Sequence, residues 1–153
     1  MYACGLRMRE AASLQVSQID SARGLLRIIG KGDKERLVPV PLPLLAKLRE
    51  LWKTHRHSQW LFPNRLGRRF ISGKNIAIAF RAGAQVLGLP ETVVPHSLRH
   101  SYATQLLENG VELRIVQILL GHSSFKSTCI YTHLTEPGRQ RLHTLLDDLM
   151  AGL

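Results

Sequence analysis

Cysteine, aromatic side chains and acidic charge are all scarce in this chain of 153 residues, and no long apolar run interrupts it. Cys4 and Cys129 are its only thiols, far apart and without a paired-ligand spacing, which argues against a disulfide framework or a zinc knuckle and fits a reducing compartment. No stretch approaches the roughly 18 apolar residues that a membrane span needs. The first residues also lack a basic segment leading into an apolar signal core, so a cytoplasmic protein without a membrane partner is expected. Asp and Glu number 11 against 21 Lys and Arg, a formal net charge of +10. A pI near 10.5 over a whole domain points to a polyanion such as nucleic acid, with a merely solubilising basic surface as the alternative. What remains is ordinary: 44% hydrophobic and 21% charged residues suit one globular domain and argue against disorder.

Hydrophobic patterning predicts an α+β domain, mainly helical, with a small antiparallel β-sheet near the N-terminus. Helix formers fill residues 7–14 behind Gly5. Residues 25–29 and 37–40 are β-rich stretches on either side of a glycine-rich, charged turn, which reads as a hairpin. Pro41 and Pro43 introduce Leu44, Leu45, Leu48, Leu51 and Trp52, whose spacing puts one apolar face on a helix, directed at the core. Residues 60–63 form a short extended piece and 64–69 an exposed basic loop. A helix then starts after Ser72, runs past Ile76, Phe80 and Val86, and stops near Gly88. Two more follow, from His96 to a stop at Asn109-Gly110 and from Glu112 to Gly121. Ser123-Ser124 can cap a short helix toward Tyr131, and Leu142, Leu145, Leu146, Leu149 and Met150 mark a last amphipathic segment.

Residues able to hold and attack a phosphodiester are spread along this frame. Arg7 and Glu10 share a helical face, where the carboxylate can fix the guanidinium and aim its forked donors at phosphate oxygens. An ordinary surface ion pair is the competing reading. Lys31, between Gly30 and Gly32 at the hairpin tip, can reach a neighbouring groove and protonate a departing oxygen, or simply belong to a solvated charged turn with Lys34, Glu35 and Arg36. His96 and Arg99 lie one turn apart near a helix N-terminus and can bracket a small anion. His96 and His100 also have the i, i+4 spacing of metal ligands, but no glutamate occupies the metalloprotease position and no third ligand is evident. His122 follows a helix-ending glycine. Tyr131, alone, is a poor nucleophile at neutral pH, because its proton leaves only near pH ~10. Arginine and histidine neighbours would change that.

Taken together, C-G-L-R-M-R-E, I-I-G-K-G-D-K-E-R-L-V-P, H-S-L-R-H-S-Y-A-T-Q-L-L, L-L-G-H-S and I-Y-T-H-L resemble, in order and separation, the catalytic domain of the tyrosine recombinases and phage integrases. The resemblance spans nearly the whole chain, with 26 residues from His96 to His122 and nine from there to Tyr131. It implies that residues 1–153 are a catalytic domain without the family's N-terminal core-binding domain and without the helix that normally precedes Arg7. Arg7 and Arg99 would clamp the scissile phosphate of double-stranded DNA, Tyr131 would attack it, and Lys31 would protonate the leaving 5′ oxygen. His96 would assist proton transfer at the tyrosine, His122 would hydrogen-bond the phosphate, and Glu10 would support Arg7. Lys34, Arg36, Arg65, Arg68 and Arg69 would supply further DNA contacts. With two arginines in place of a divalent metal, neither metal nor cofactor is expected. The family precedent also implies a monomer when free and a homotetramer on DNA. The last segment would then either pack into a neighbouring subunit or fold back on its own domain. Two other functions stay open: a non-catalytic DNA-binding module built on residues 103–120, and a DNA-relaxing enzyme of the type IB topoisomerase kind.

Overall fold

The computed structural model describes residues 1–30, 35–121 and 136–151. Its elements in chain order are α1 (Met8–Ala12), a short 3-10 turn (Val16–Gln18), β1 (Ile19–Asp20), β2 (Leu25–Ile29), β3 (Glu35–Pro39), α2 (Leu42–His55), α3 (Gly73–Val86), α4 (Pro95–Glu108), α5 (Leu113–Leu120) and α6 (Glu136–Ala151). Helices dominate, and the one sheet among the described residues is antiparallel with order β1-β2-β3.

β2 and β3 pair as the hairpin pattern predicts, with Leu26 opposite Val38 and Ile28 opposite Arg36. Because strand side chains alternate, Leu26, Ile28 and Val38 all point into one core with Cys4, Leu6, Leu14, Val40, Leu45 and Leu61. Each such side chain contributes about 1.5 to 3 kcal/mol when fully buried. Leu25 and Leu37, out of phase by one residue, pack instead against a second core of Tyr102, Leu106, Val116, Leu119, Leu120, Leu142 and Leu146. The sheet is therefore the partition between two apolar clusters. β1, only two residues long, has no alternating pattern that a sequence could display.

α2 buries a narrower face than its leucine spacing predicts. Leu45 is in the core and Leu44, Leu48 and Trp52 pack against it, but Leu51 is 39% exposed. Leu51 lies within about 20° of Leu44 around the helix, so its exposure reflects what lies opposite the second turn after Leu44 rather than the azimuth of the stripe. α3 starts where Ser72 accepts a hydrogen bond from the Asn75 N–H, the expected cap. α5 ends at Gly121 in the left-handed conformation, φ 68°.

The last helix folds back on its own domain. Leu142, Leu146 and Met150 are buried, and Asp147 Oδ1 accepts from the Leu42 N–H at 2.7 Å, placing a carboxylate at the N-terminus of α2. No described helix is long and apolar enough to cross a membrane.

Candidate active site

A single carboxylate organises the site. Glu10 lies in the first turn of α1 and accepts the Arg7 N–H at 2.8 Å, so it caps its own helix, and it binds Arg7 Nη1 at 2.9 Å. The same two oxygens accept a fork from Arg36 on β3, at 3.0 Å to Oε1 and 2.7 Å to Oε2. Both sides of this second pair are out of water, at 2% exposure for Arg36 and 10% for Glu10. Burial alone would raise the Glu10 pKa; the hydrogen bonds and charge of Arg36 and the bonds from Arg7 overturn it and hold the carboxyl at about 2.

Three arginines then converge on the end of α5. Arg36 Nε donates to the Leu119 carbonyl at 2.8 Å, and Arg7 Nη2 reaches the Gly121 carbonyl at 3.3 Å. Arg99, only 5% exposed, donates to the Gly5 carbonyl and, at 2.6 Å, to the Leu120 carbonyl. Three successive carbonyls left open by the helix terminus thus take three guanidiniums from distant parts of the chain. Gly121 fits there because it has no side chain: a Cβ would stand 2.9 Å from Arg36 Nη1. Desolvation, followed by the charges of Arg7 and Arg36, lowers the Arg99 pKa to about 10 despite the opposing influence of Glu10.

Among the described residues the cluster holds three guanidiniums against one carboxylate, and Arg7 retains 43% exposure, so it is built to receive an anion. Inorganic phosphate at about ten times its Kd is expected to stabilise the fold by about 1.4 kcal/mol. A melting curve checks this: the midpoint should rise with phosphate in the wild type and not in Arg7→Ala.

Arg7, Glu10 and Arg99 thus meet as the sequence predicts. His96 is exposed in the first turn of α4, its ring edge-on to His100 with centroids 4.7 Å apart. Arg99, one turn on, points into the protein rather than alongside it. Lys31, Lys34, His122 and Tyr131 lie outside the described residues. Arg65, Arg68 and Arg69 are exposed on the predicted basic loop, where Asn64 Oδ1 accepts the Arg68 N–H at 3.1 Å. Arg36 differs from the expectation of a DNA contact at the hairpin tip: it is buried and paired because alternation along β3 puts it on the same inward face as Val38. That alternation was the available signal, since an arginine turned inward needs a carboxylate. Among the described residues no group of three metal-ligating side chains occurs.

Residues 1–137 match the phage integrase family. The chain is 39% identical over 150 residues to the tyrosine recombinase XerD of Pseudomonas putida, covering 94% of this chain and 50% of that protein. It is 43% identical over 145 residues to XerD of Lacticaseibacillus casei, covering 88% and 48%. Its fold is similar to the integrase of mycobacterium phage Brujita, with a TM-score of 0.74 and 27% identity over 95% of this chain and 47% of that one. It is also similar to the XerH site-specific recombinase bound to difH substrate, with a TM-score of 0.71 and 28% identity over 91% and 42%. The chain spans about half the length of the curated relatives it matches. Its motifs, its fold and a match over most of its length agree: the chain belongs to the phage integrase family, the tyrosine recombinases.

Proposed function

We propose that this chain is the catalytic half of a site-specific DNA recombinase, cleaving and rejoining strands through a 3′-phosphotyrosyl intermediate. The observation that carries the reading is the meeting of Arg7 and Arg99, 92 residues apart in sequence, at the end of α5 immediately before His122. Two guanidiniums fixed by backbone carbonyls, that of Arg7 still 43% exposed, offer preorganised charge for a phosphate whose equatorial oxygens become more negative as a fifth bond forms. The XerH site-specific recombinase, similar in fold and bound to difH substrate, supports a recombination site in double-stranded DNA as the partner. Exposed Arg65, Arg68 and Arg69 extend the positive surface with phosphate contacts that carry no sequence information.

In this reading Tyr131 oxygen attacks phosphorus and gives up its proton with help from His96. The bond to the 5′ oxygen breaks, and that oxygen takes a proton from Lys31. Arg7, Arg99 and His122 hold the non-bridging oxygens, while Glu10 keeps Arg7 in place. One phosphodiester replaces another, so the linkage energy is retained and a second 5′ hydroxyl can reverse the step on a new partner without ATP. Exchange between two duplexes needs several such centres at once, and a homotetramer on paired sites is part of the proposal.

A nicked suicide duplex, from which the cleaved 5′ end diffuses away, tests it. The wild type should accumulate a DNA adduct that survives denaturant, and Tyr131→Phe should accumulate none. Salt-sensitive binding without an adduct on any duplex would mark a binding module instead.

A further inference from the structure

Arg36 is the one member of the cluster that the reaction leaves without a task, and its surroundings suggest one. Its guanidinium has three separate engagements: Nη1 and Nη2 on Glu10, and Nε on the Leu119 carbonyl. Glu10 in turn holds the backbone and side chain of Arg7. Leu119 and Leu120 are the last residues of α5, and Gly121, whose Cβ position Arg36 fills, accepts from Arg7 and precedes His122. Arg36 also stands in β3, five residues after Lys31 in the sequence. One buried side chain therefore ties the helix that carries Glu10 and follows Arg7 to the end of α5 and to β3.

We infer that Arg36 is a positioning residue for phosphoryl transfer, setting the Arg7 guanidinium and the α5 terminus in register through Glu10 and Leu119. The inference rests on the recombinase reading. It gives Arg36 no contact with DNA, and it requires the loss of Arg36 to act through Arg7. Planarity matters as much as charge, because an ammonium cannot form the fork on Glu10 and reach Leu119 together.

The test compares Arg36→Met, Arg36→Lys, Arg7→Ala and the Arg7→Ala/Arg36→Met double variant, each at a temperature where circular dichroism reports it folded. Single-turnover cleavage of the suicide duplex should fall about 100-fold in Arg36→Met, the scale expected when a catalytic group is misplaced by about 1 Å. Arg36→Lys should lose less, and DNA affinity and its salt dependence should be unchanged in both. The double variant should cleave no more slowly than Arg7→Ala alone. A duplex with a methylphosphonate at the scissile position, which carries no charge on the phosphate, should recover much of the Arg36→Met loss. Additive losses, equal losses on both duplexes, or unimpaired cleavage would overturn the role.

If the wild type forms no adduct at all, the recombinase reading fails, and a titration free of any reaction decides what Arg36 does. Followed by carbon NMR, the Glu10 carboxyl should leave its low position near 2 and rise into or above the ordinary carboxylate range in Arg36→Met. A carboxyl still near 2 would show that Arg36 does not set this cluster.

Discussion

Replacing Glu10 with glutamine is expected to lower the stability of the fold by about 3 to 5 kcal/mol, the usual cost of leaving one buried member of an ion pair without its partner. Arg36 is 2% exposed and cannot turn to water, and the amide would set N–H donors against two guanidiniums. Against a total stability of about 5 to 15 kcal/mol such a loss moves the denaturant midpoint far down. Function should suffer separately, because Arg7 loses both the cap and the pair that fix it. Acid acts on the same group in the wild type. Its folded pKa of about 2 lies below the ordinary 4.5, so the carboxylate stabilises fully above pH 4.5 and its contribution is lost as pH falls from 4.5 toward 2. The size of that loss is on the order of 3 kcal/mol. Denaturant midpoints between pH 5 and 2 check the point: Glu10→Gln should show a shallower acid slope than the wild type, and parallel slopes would contradict the assignment.

Gly5→Ala is expected to cost about 2 to 5 kcal/mol, combining left-handed backbone strain with overpacking. Gly5 has φ 58°, and a Cβ there would lie 2.6 Å and 2.7 Å from two carbons of the Tyr102 ring and 3.0 Å from Leu120 Cδ2. Tyr102 is 1% exposed and has nowhere to move. The strain would also reach the arginine cluster, since the carbonyl of Gly5 accepts from Arg99. Gly83→Ala serves as the contrast: that glycine is inside α3, a Cβ there meets nothing within 4 Å, and the change should stabilise by about 1 kcal/mol. Denaturant melts of the two variants should therefore shift in opposite directions. A wild-type midpoint for Gly5→Ala would mean that the close approach to Tyr102 is not maintained in solution.

Local chemistry made much of this fold legible. Alternation marked the β2–β3 hairpin, Ser72 marked the start of α3, and Gly121 marked the end of α5, because each signal acts within a few residues of its effect. β1 escaped, since two residues carry no period and Ile19 and Asp20 pair only because β2 is already there. Within the site, Arg7 and Glu10 were readable from their spacing on one helix. The Arg36–Glu10 pair spans 26 residues, and the carbonyls of Gly5, Leu119, Leu120 and Gly121 hold arginines through backbone atoms that every residue possesses. No side-chain pattern announces such acceptors. The charged turn before β3 suggests a surface position for Arg36, whereas strand parity turns it inward.

Which atom of the protein becomes joined to DNA, and in which polarity, decides the proposed mechanism. After cleavage of a suicide duplex, nuclease and protease digestion followed by mass spectrometry should yield one modified peptide, with a nucleotide 3′ phosphate esterified to Tyr131 and a free 5′ hydroxyl on the departing strand. A nucleotide on any other residue, a 5′ phosphate linked to the protein, or unmodified Tyr131 in a cleaved sample would contradict it.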